Sequence, residues 1–354
     1  MRGNAVKINF FGDVCLQEVK HDTFSIDPGI TKLIAAADCN VANLEGPLTY
    51  SADGLAYQSI LKRSEPVKSQ LVDMFDIFSL ANNHIMDFKL DGLLDTITFL
   101  KSLNKGYFGV GLSRSESFQP FTTEVKETPV AFLGFTRWHR ARRKAAGTTP
   151  DDVRQLSGRI SELSQLGYFV VVYAHWNYEY MDYPAPGNRR IARKLIDAGA
   201  DLILGSHPHV IHGYEKYRGK FIFHSLGNFI FDLPRYNDDW RLKQTFILTI
   251  NVNEDKTYTH EITPIFTDAS SVKILQGREH DLLLERLTGL SNVLNEDERM
   301  YKARFYEDAA SGVKKLSQNM KKTLKTKGMM YVLSRLHRIR IEDLRIKLYS
   351  MLYH

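Results

Sequence analysis

The sequence has few cysteines and no long apolar run. Its 354 residues include two cysteines, Cys15 and Cys39, which cannot build a disulfide framework and ask for no oxidising compartment. No apolar stretch approaches the roughly 18–20 residues that a membrane-spanning helix needs. The first residues, MRGNAVKINFFGDV, are interrupted early by Asp13 and do not follow the pattern of a signal peptide. These features predict a cytoplasmic protein without a signal peptide or transmembrane helix.

Internal repeats and low-complexity tracts are also missing from the chain. Hydrophobic residues make up 43% of it, which is enough for a sizeable core and argues against disorder. At about 100–200 residues per domain, the length fits one large domain or one domain with an appendage. We place a domain boundary near residue 270, where the pattern becomes helical and charged. The prediction is a main domain over 1–270 and a helical, basic extension over 271–354.

The net charge of +6 is concentrated near the end of the chain. Residues 311–354 contain eleven Lys or Arg against two Asp or Glu, so their surplus of nine leaves residues 1–310 slightly acidic, at −3. The basic segment has leucines at helical spacing. It could dock on the core, lie on an anionic membrane surface as a peripheral anchor, or bind a partner protein. No nucleic-acid-binding module is recognisable, and we expect no nucleic-acid partner.

Short β-branched or aromatic runs alternate with stretches of helical periodicity in the first two-thirds of the chain. The predicted strands are residues 6–12, 40–45, 76–81, 129–135, 168–174, 201–205 and 220–226. The predicted helices are residues 91–103, 153–166 and 188–199. This alternation predicts an α/β fold whose sheet is covered on both faces. Residues 244–253 have no helix before them and predict an edge strand or a hairpin partner.

Polar side chains follow six of the predicted strands. They are Asp13, Glu45, Asn83, His84, His175, His207, His209 and Asn228. In open α/β sheets the carboxyl ends of the strands form the ligand crevice, so these side chains should share one edge. Carboxylate, carboxamide and imidazole groups are ligands for divalent Mn, Fe or Zn, whereas a thiolate site would need more cysteines. The pattern therefore predicts a metal site, and two such ions close together would clamp a phosphoryl oxygen and activate water.

Six sequence blocks resemble, in order and spacing, the CapA family of poly-gamma-glutamate capsule biosynthesis proteins, a branch of the calcineurin-like metallophosphoesterases. The blocks are GDVCL, NLEGPLT, SLANNHIMDF, AHWNYEY, GADLILGSHPHVIHGYE and HSLGNFIFD. The resemblance covers roughly residues 6–235 and implies a four-layer α/β/β/α sandwich with a two-metal site. It also implies a metal-dependent hydrolase that acts on a phosphoester, or a related anionic intermediate, in the biosynthesis of a capsule or another extracellular polymer.

The same resemblance implies roles for single residues. The metal ligands would be Asp13, Glu45, Asn83, His175, His207 and His209, and they would hold two divalent ions, Mn, Fe or Zn. His84 would protonate the leaving group without binding the metals. Two positions depart from the pattern. Cys15 stands where the superfamily motif D-x-H has a histidine, and Asn177 stands where the family motif HWGxEY has a glycine.

Several nearby residues keep more than one interpretation. Cys15 could bind a metal through sulfur or be a small buried apolar residue. Asn82 could shape a turn or contact substrate, and Asp87 could cap the next helix or support the site from behind. Glu179 could be a neighbour of the ligands, orient a histidine, or be a surface acid. Asn228 could orient a ligand or form the wall of the site.

The segment RWHRARRKAAG, residues 137–147, places five Arg or Lys directly after a predicted strand. It is either a solvated loop or a basic rim that attracts an anionic substrate. Arg137 and His139 lie nearest the strand end and are the better candidates for substrate contact.

A second function class stays open at this point. The chain could be a non-catalytic, metal-containing component of a membrane-bound complex for capsule synthesis and export. Its partners would then be the membrane surface or capsule-synthesis proteins, reached through the basic C-terminal segment. In the hydrolase interpretation the partner is an anionic small molecule or polymer.

Overall fold

The computed structural model describes residues 5–17, 23–51, 53–54, 69–231, 239–268 and 270–310. Within these residues, nine strands form a first sheet and six form a second. The first sheet contains β1 (Val6–Cys15), β2 (Ser25–Ile26), β3 (Cys39–Leu44), β4 (Ile77–Ser79), β5 (Gly106–Phe108), β14 (Asn228–Phe231), β15 (Gln244–Val252), β16 (Tyr258–Thr267) and β17 (Ser271–Ile274). The second contains β7 (Phe121–Val125), β8 (Thr128–Thr136), β10 (Phe169–His175), β11 (Leu202–Ser206), β12 (Tyr214–Tyr217) and β13 (Lys220–Phe223). A separate two-stranded antiparallel sheet is formed by β6 (Val110–Gly111) and β9 (Gly147–Thr148).

The strand order explains why one edge collects the polar side chains. The first sheet runs β2-β17-β16-β15-β1-β3-β4-β5, with β14 also paired to β1, and the second runs β12-β13-β11-β10-β8-β7. Strands β1, β3, β4 and β5 are parallel, and so are β8, β10, β11 and β13. Parallel strands end at the same edge, so the residues that follow them lie together.

Helices pack on the two sheets. They are α1 (Pro28–Ala35), α2 (Ser69–Val72), α3 (Lys89–Ser102), α4 (Arg114–Ser117), α5 (Val153–Gln165), α6 (Pro186–Asp197) and α7 (Gly277–Val293), and residues 298–310 are also helical. Buried residues of the two sheets, such as Phe10 and Val171, form one core between them. The outer face of the first sheet packs on residues such as Leu93 of α3, and that of the second on residues such as Ile160 of α5. This layer order confirms the predicted α/β/β/α sandwich.

Local signals explain the ends of the predicted helices. Asp152 caps α5 by accepting a hydrogen bond from the Gln155 N–H, and Leu156, Ile160 and Leu163 then recur on its buried face. Burying each of these side chains contributes about 1.5–3 kcal/mol. Helix α6 ends just before Gly199, whose φ of +113° lies where an L side chain is strained. The predicted helices 91–103, 153–166 and 188–199 thus agree with α3, α5 and α6 to within a few residues.

Two strand predictions are corrected by the structure. The predicted strand 220–226 ends at Phe223, and the chain then crosses to the first sheet, where β14 pairs in parallel with β1. The crossing passes so close to β1 that a Cβ on Gly12 would lie 2.0 Å from the Gly227 carbonyl oxygen. Strand β15 is a hairpin partner of β16, as predicted, but it also pairs with β1 and is therefore an interior strand, not an edge.

Residues after position 270 pack against the same sheets. Strand β17 pairs with β16, and Leu283 and Leu287 of α7 join the core between the sheets. Met181 packs against Phe305 of the helix 298–310. The basic segment 311–354 lies outside the described residues, so the proposed domain division stays a prediction. No helix in the described ranges is both long and apolar enough to cross a membrane.

Candidate metal centre

Four chain segments bring acidic and imidazole side chains to one edge of the sandwich. Asp13 lies near the end of β1, Glu45 directly follows β3, His175 is the last residue of β10, and His207 directly follows β11. All four are buried. Because β1 and β3 belong to one sheet and β10 and β11 to the other, the site lies where the two sheets meet.

Two groups of ligand atoms converge there. Among the described residues, Asp13, Glu45 and His175 form one group and Glu179, His207 and His209 form another, with the ligand atoms of each group within 4.8 Å of one another. The groups adjoin each other through His209. Its Nδ1 lies 3.6 Å from Asp13 Oδ2, and its Nε2 lies 3.9 Å from Glu45 Oε1. The structure therefore brings together the predicted ligands of both sheets.

Asn83 joins the first group through His175. Its Oδ1 lies 2.7 Å from His175 Nε2, and Ser206 Oγ lies 2.8 Å from Nδ1 of the same ring. Asn82 instead holds the turn that follows it: its Oδ1 accepts from the backbone N–H groups of His84 and Ile85, and its Nδ2 donates to the Leu44 carbonyl. Of the two adjacent asparagines, only Asn83 reaches the ligand groups.

His84 is oriented by a buried acid. Its Nδ1 donates to Asp87 Oδ2 at 2.8 Å, and its Nε2 lies 3.8 Å from Glu45 Oε1. Asp87 does not cap the following helix, because the N-cap of α3 is Phe88, which has no side-chain cap hydrogen bond. Burial raises the pKa of Asp87 to about 8, although the charge of His139 acts in the opposite direction. Asp87 therefore supports the site by orienting the His84 ring and does not cap the helix.

Sequence reasoning missed the role of Asn43 and Ser206. Asn43 Nδ2 donates to Asp13 Oδ1 at 2.8 Å and lies 3.5 Å from His175 Nδ1. The spacing of Asn43 and Glu45 was the available signal, since residues two apart share a face of a strand. The Asn43 Oδ1 is buried and accepts no hydrogen bond within the described residues, a state that costs about 1–3 kcal/mol.

Asn228 orients His209. Its Nδ2 donates to the Leu242 carbonyl, so its Oδ1 accepts from His209 Nδ1 at 2.9 Å. This contact assigns the proton to Nδ1 and leaves Nε2 with a lone pair on the side of Glu45. Both histidines of the turn have left-handed backbone, with φ of +95° at His207 and +62° at His209, a strain that folded chains tolerate mainly at functional sites.

The electrostatics of this edge suit a cation. Burial raises the pKa of Asp13, although His209 and the His207 backbone N–H act in the opposite direction. Burial also lowers the pKa of His209. Both shifts show that the site disfavours net charge on its own side chains. A divalent cation would balance the buried carboxylates, and the carboxylate and imidazole donors that converge there are ligands of divalent metals, so the residues present fit the implied metals.

Cys15 does not join either ligand group in the described residues. It is buried and packs with Val210, Phe231 and Leu242. Of its two interpretations, this packing favours a small apolar residue.

The loop 137–147 is anchored at the site by an aromatic side chain. The Trp138 ring centroid lies 4.3 Å from that of His207, and the Arg137 guanidinium lies over the Trp138 ring. His139 interacts with the Asn83 backbone and with the charge of Asp87, and burial lowers its pKa. Residues 142–145 are exposed. The loop thus has a half-buried part beside the candidate metal centre and a basic, exposed outer part.

Comparison with solved structures finds distant relatives. A hypothetical protein from Thermus thermophilus aligns with a TM-score of 0.45 and 13% identity, over 77% of this chain and 100% of that one. A putative 5'-nucleotidase from Staphylococcus aureus, solved in complex with alpha-ketoglutarate, aligns with a TM-score of 0.45 and 14% identity, over 80% of this chain and 58% of that one. The family assignment therefore depends on the sequence matches.

The sequence matches are closer. The PGA biosynthesis protein CapA of Bacillus subtilis is 34% identical over 253 residues, which is 68% of this chain and 64% of that protein. The capsule biosynthesis protein CapA of Bacillus anthracis is 31% identical over 220 residues, which is 60% of this chain and 52% of that protein. The matches thus span less than two thirds of these relatives. Together with a match of the family described as bacterial capsule synthesis protein PGA_cap to residues 7–233, they show that this chain belongs to that family.

Proposed function

We propose that this chain is a metal-dependent hydrolase of a phosphoester, or of a related anionic intermediate, in the biosynthesis of a capsule or another extracellular polymer. The observation that carries the proposal is the pair His84–Asp87, placed beside two converging groups of metal-ligand atoms. A histidine fixed by a buried acid next to a metal centre has the arrangement that acid catalysis needs. The names of the relatives support the link to capsule and PGA synthesis.

The centre would hold two divalent ions, Mn, Fe or Zn. The proposed ligands are Asp13, Glu45, Asn83, His175, His207 and His209. When bound, such ions polarise a phosphoryl oxygen and lower the pKa of a water molecule. Asn43 and Asn228 hold Asp13 and His209 in place by hydrogen bonds, so each ligand is presented in one orientation.

His84 would give a proton to the oxygen of the leaving group. Because Nδ1 is engaged by Asp87, the ring presents Nε2 to the side of Glu45, where the ligand groups converge. His84 is partly exposed, so a substrate can reach this nitrogen. The hydrogen bond to Asp87 prevents rotation of the ring and keeps Nε2 turned toward the ligand groups.

The loop 137–147 supports an anionic substrate. Trp138 contacts His207 and so fixes the loop next to the ligands, while Arg142, Arg143 and Lys144 are exposed on its outer part. A cluster of positive charge beside the centre raises the local concentration of anions. We propose that this loop forms the basic rim of the substrate site.

The decisive experiment is metal analysis of the purified chain followed by a panel of phosphoesters. We expect bound divalent metal and turnover of at least one phosphoester. His84→Ala should lower kcat by about 10²–10⁴-fold with unchanged metal content, because it removes the acid and no ligand. His280→Ala, a change at an exposed histidine of α7, is the matched control and should keep full activity. Absence of metal, or full activity of His84→Ala, would contradict the proposal.

The alternative of a non-catalytic assembly component is favoured by the basic surplus of residues 311–354. The proposed partners of that segment are an anionic membrane surface or proteins of capsule synthesis. Removing residues 311–354 separates the two functions. Lost association with intact hydrolysis indicates a hydrolase that its C-terminal segment recruits, whereas association without turnover of any phosphoester or polyglutamate indicates an assembly component.

A further inference from the structure

We infer that Glu179 is a direct metal ligand, which completes a subsite with His207 and His209, and that Cys15 binds no metal. The inference rests on the metal centre of the proposed function and adds a ligand to it. It replaces the sequence-based expectations that Glu179 orients a histidine or is a surface acid. The subsite would take a divalent transition metal with two imidazoles and one carboxylate.

The first observation is the geometry of the group. One carboxylate oxygen of Glu179 and one ring nitrogen each of His207 and His209 lie within 4.8 Å of one another. Two imidazoles and one carboxylate form a ligand set that transition metals use when coordination positions stay open for water or substrate. Glu179 is partly exposed, as a ligand at an accessible subsite needs to be.

The second observation is the way in which the loop after β10 holds Glu179. Asn177 and Tyr180 both have left-handed backbone, with φ of +70° and +66°, which turns the chain sharply on both sides of Tyr178 and Glu179. Asparagine tolerates this conformation better than most residues, which explains how it replaces the glycine of the family pattern. The Asn177 Oδ1 accepts hydrogen bonds from the Ala185 N–H and from Asn188 Nδ2, both at 2.9 Å. The loop is therefore fixed from behind.

The loop is also tied directly to the turn that contains the two histidines. The Tyr180 N–H donates to the Pro208 carbonyl at 2.9 Å, and Pro208 lies between His207 and His209 in the chain. The Tyr180 ring stacks on the His209 ring at 6.1 Å between centroids. A glutamate one residue before this anchor cannot move far from the two imidazoles. This attachment is what a preorganised ligand requires and what a surface acid does not need.

The third observation concerns Cys15. Its side chain is 2% exposed and packs with Val210, Phe231 and Leu242, and it belongs to no ligand group of the described residues. Cys15 therefore contributes to apolar packing. The additional metal ligand is Glu179, which lies in the loop after β10. This exchange accounts for a cysteine at a position where the D-x-H pattern has a histidine.

The test is a titration of the chelator-treated full chain with Co²⁺, followed by calorimetry and by absorption spectroscopy. Glu179→Gln keeps the shape of the side chain and removes the anionic donor. We expect it to weaken Co²⁺ binding at one of two sites by about 10–100-fold or more, because loss of groups that only support a ligand already costs that much. Glu254→Gln, at an exposed glutamate, is the matched control and should bind like the wild type. Glu179→Asp should recover part of the affinity.

Cys15→Ser should leave the cobalt spectrum unchanged, and the near-ultraviolet charge-transfer band of a cobalt–thiolate bond should be absent from the wild type. Equal Co²⁺ affinity and stoichiometry of Glu179→Gln and the wild type would overturn the inference, as would a thiolate band that Cys15→Ser abolishes. If the wild type itself takes up no Co²⁺ and no Mn²⁺, the proposed metal centre fails as a whole. That result differs from a normal wild-type titration that Glu179→Gln leaves unaltered. Circular dichroism of each metal-free variant verifies that the fold is kept.

Discussion

Two buried clusters of the molecule both combine carboxylates with histidine, but their acids differ in electrostatic state. In the cluster around Glu215, one carboxylate pairs with Arg189, Arg193 and His224, and the Arg189 guanidinium also covers the Tyr301 ring. At the candidate metal centre, no arginine or lysine of the described residues forms an ion pair with Asp13. Both acids are buried, but only one of them has cationic partners supplied by the chain.

The difference appears in the direction of the pKa shifts. Burial would raise the pKa of Glu215, but hydrogen bonds and charges from His224 and Arg189 together bring it below its usual range. For Asp13, burial is not outweighed and its pKa is raised. Burial alone therefore does not distinguish a structural cluster from a functional one. The carboxylate of Glu215 is balanced by arginines of the chain itself, whereas Asp13 has no such partner among the described residues.

The largest expected effect is the loss of stability when the ion pairs around Glu215 are removed. Glu215→Ala leaves Arg189 buried without its carboxylate and should lower the free energy of unfolding by about 3–5 kcal/mol. Urea denaturation of metal-free protein measures the change, with Glu254→Ala as the exposed control. Asp13→Asn should cost less than about 1 kcal/mol in the same assay, because it removes no cationic pairing. A comparable loss in both variants would erase the distinction between the two clusters.

An intermediate effect concerns the pH dependence of stability. The folded-state pKa of Asp87 is raised to about 8, above the value of about 3.9 for an unfolded aspartate. Between these values the folded state retains a proton that the unfolded state releases, so this group's contribution to stability is present below pH 4 and is lost as pH rises to 8. The slope is at most about 1.4 kcal/mol per pH unit.

Asp87→Asn should remove this downward slope in denaturation curves recorded between pH 5 and pH 8. Glu215 contributes in the opposite sense, because its lowered pKa stabilises the fold above the unfolded value and the contribution is lost in acid. Asp87→Asn should therefore leave the acid limb of the curve unaltered. An unchanged slope between pH 5 and pH 8 would show that Asp87 is already ionised in the folded protein.

The smallest expected effect is at the basic rim. Replacing Arg143 and Lys144 together by alanine should raise KM for bis(4-nitrophenyl) phosphate up to about fivefold at low salt, with kcat unchanged. Each exposed charge contributes only about 0.2–1 kcal/mol, and the difference should shrink as salt screens it. Lys273→Ala, at an exposed position on β17, is the control for net charge. A salt-independent change in kcat would assign the loop a different role.

The sequence alone was sufficient to place most of the predicted helices and strands along the chain, because their signals are local. The helix over 153–165 has an aspartate cap and apolar residues every three or four positions, and both are local signals. The crossing from β13 to β14 was missed because the predicted strand 220–226 includes the polar pair His224-Ser225, which in the structure follows the end of β13. A polar pair inside a short strand does not by itself show that the chain leaves one sheet and joins the other. The interior position of β15 was missed because strand order depends on pairing between distant segments.

The candidate site likewise combines residues that local sequence patterns predict with contacts that only distant segments of the chain create. By itself the sequence determined that Asp13, Glu45, Asn83 and the histidines end parallel strands, because strand periodicity and the polar residues that terminate it are local properties. The tertiary structure alone decided that Glu179 approaches His207 and His209 while Cys15 turns into the apolar packing. The physical reason is that these contacts join segments more than twenty residues apart. Their distances follow from the packing of two sheets and from one hydrogen bond between Tyr180 and Pro208, which no local pattern encodes.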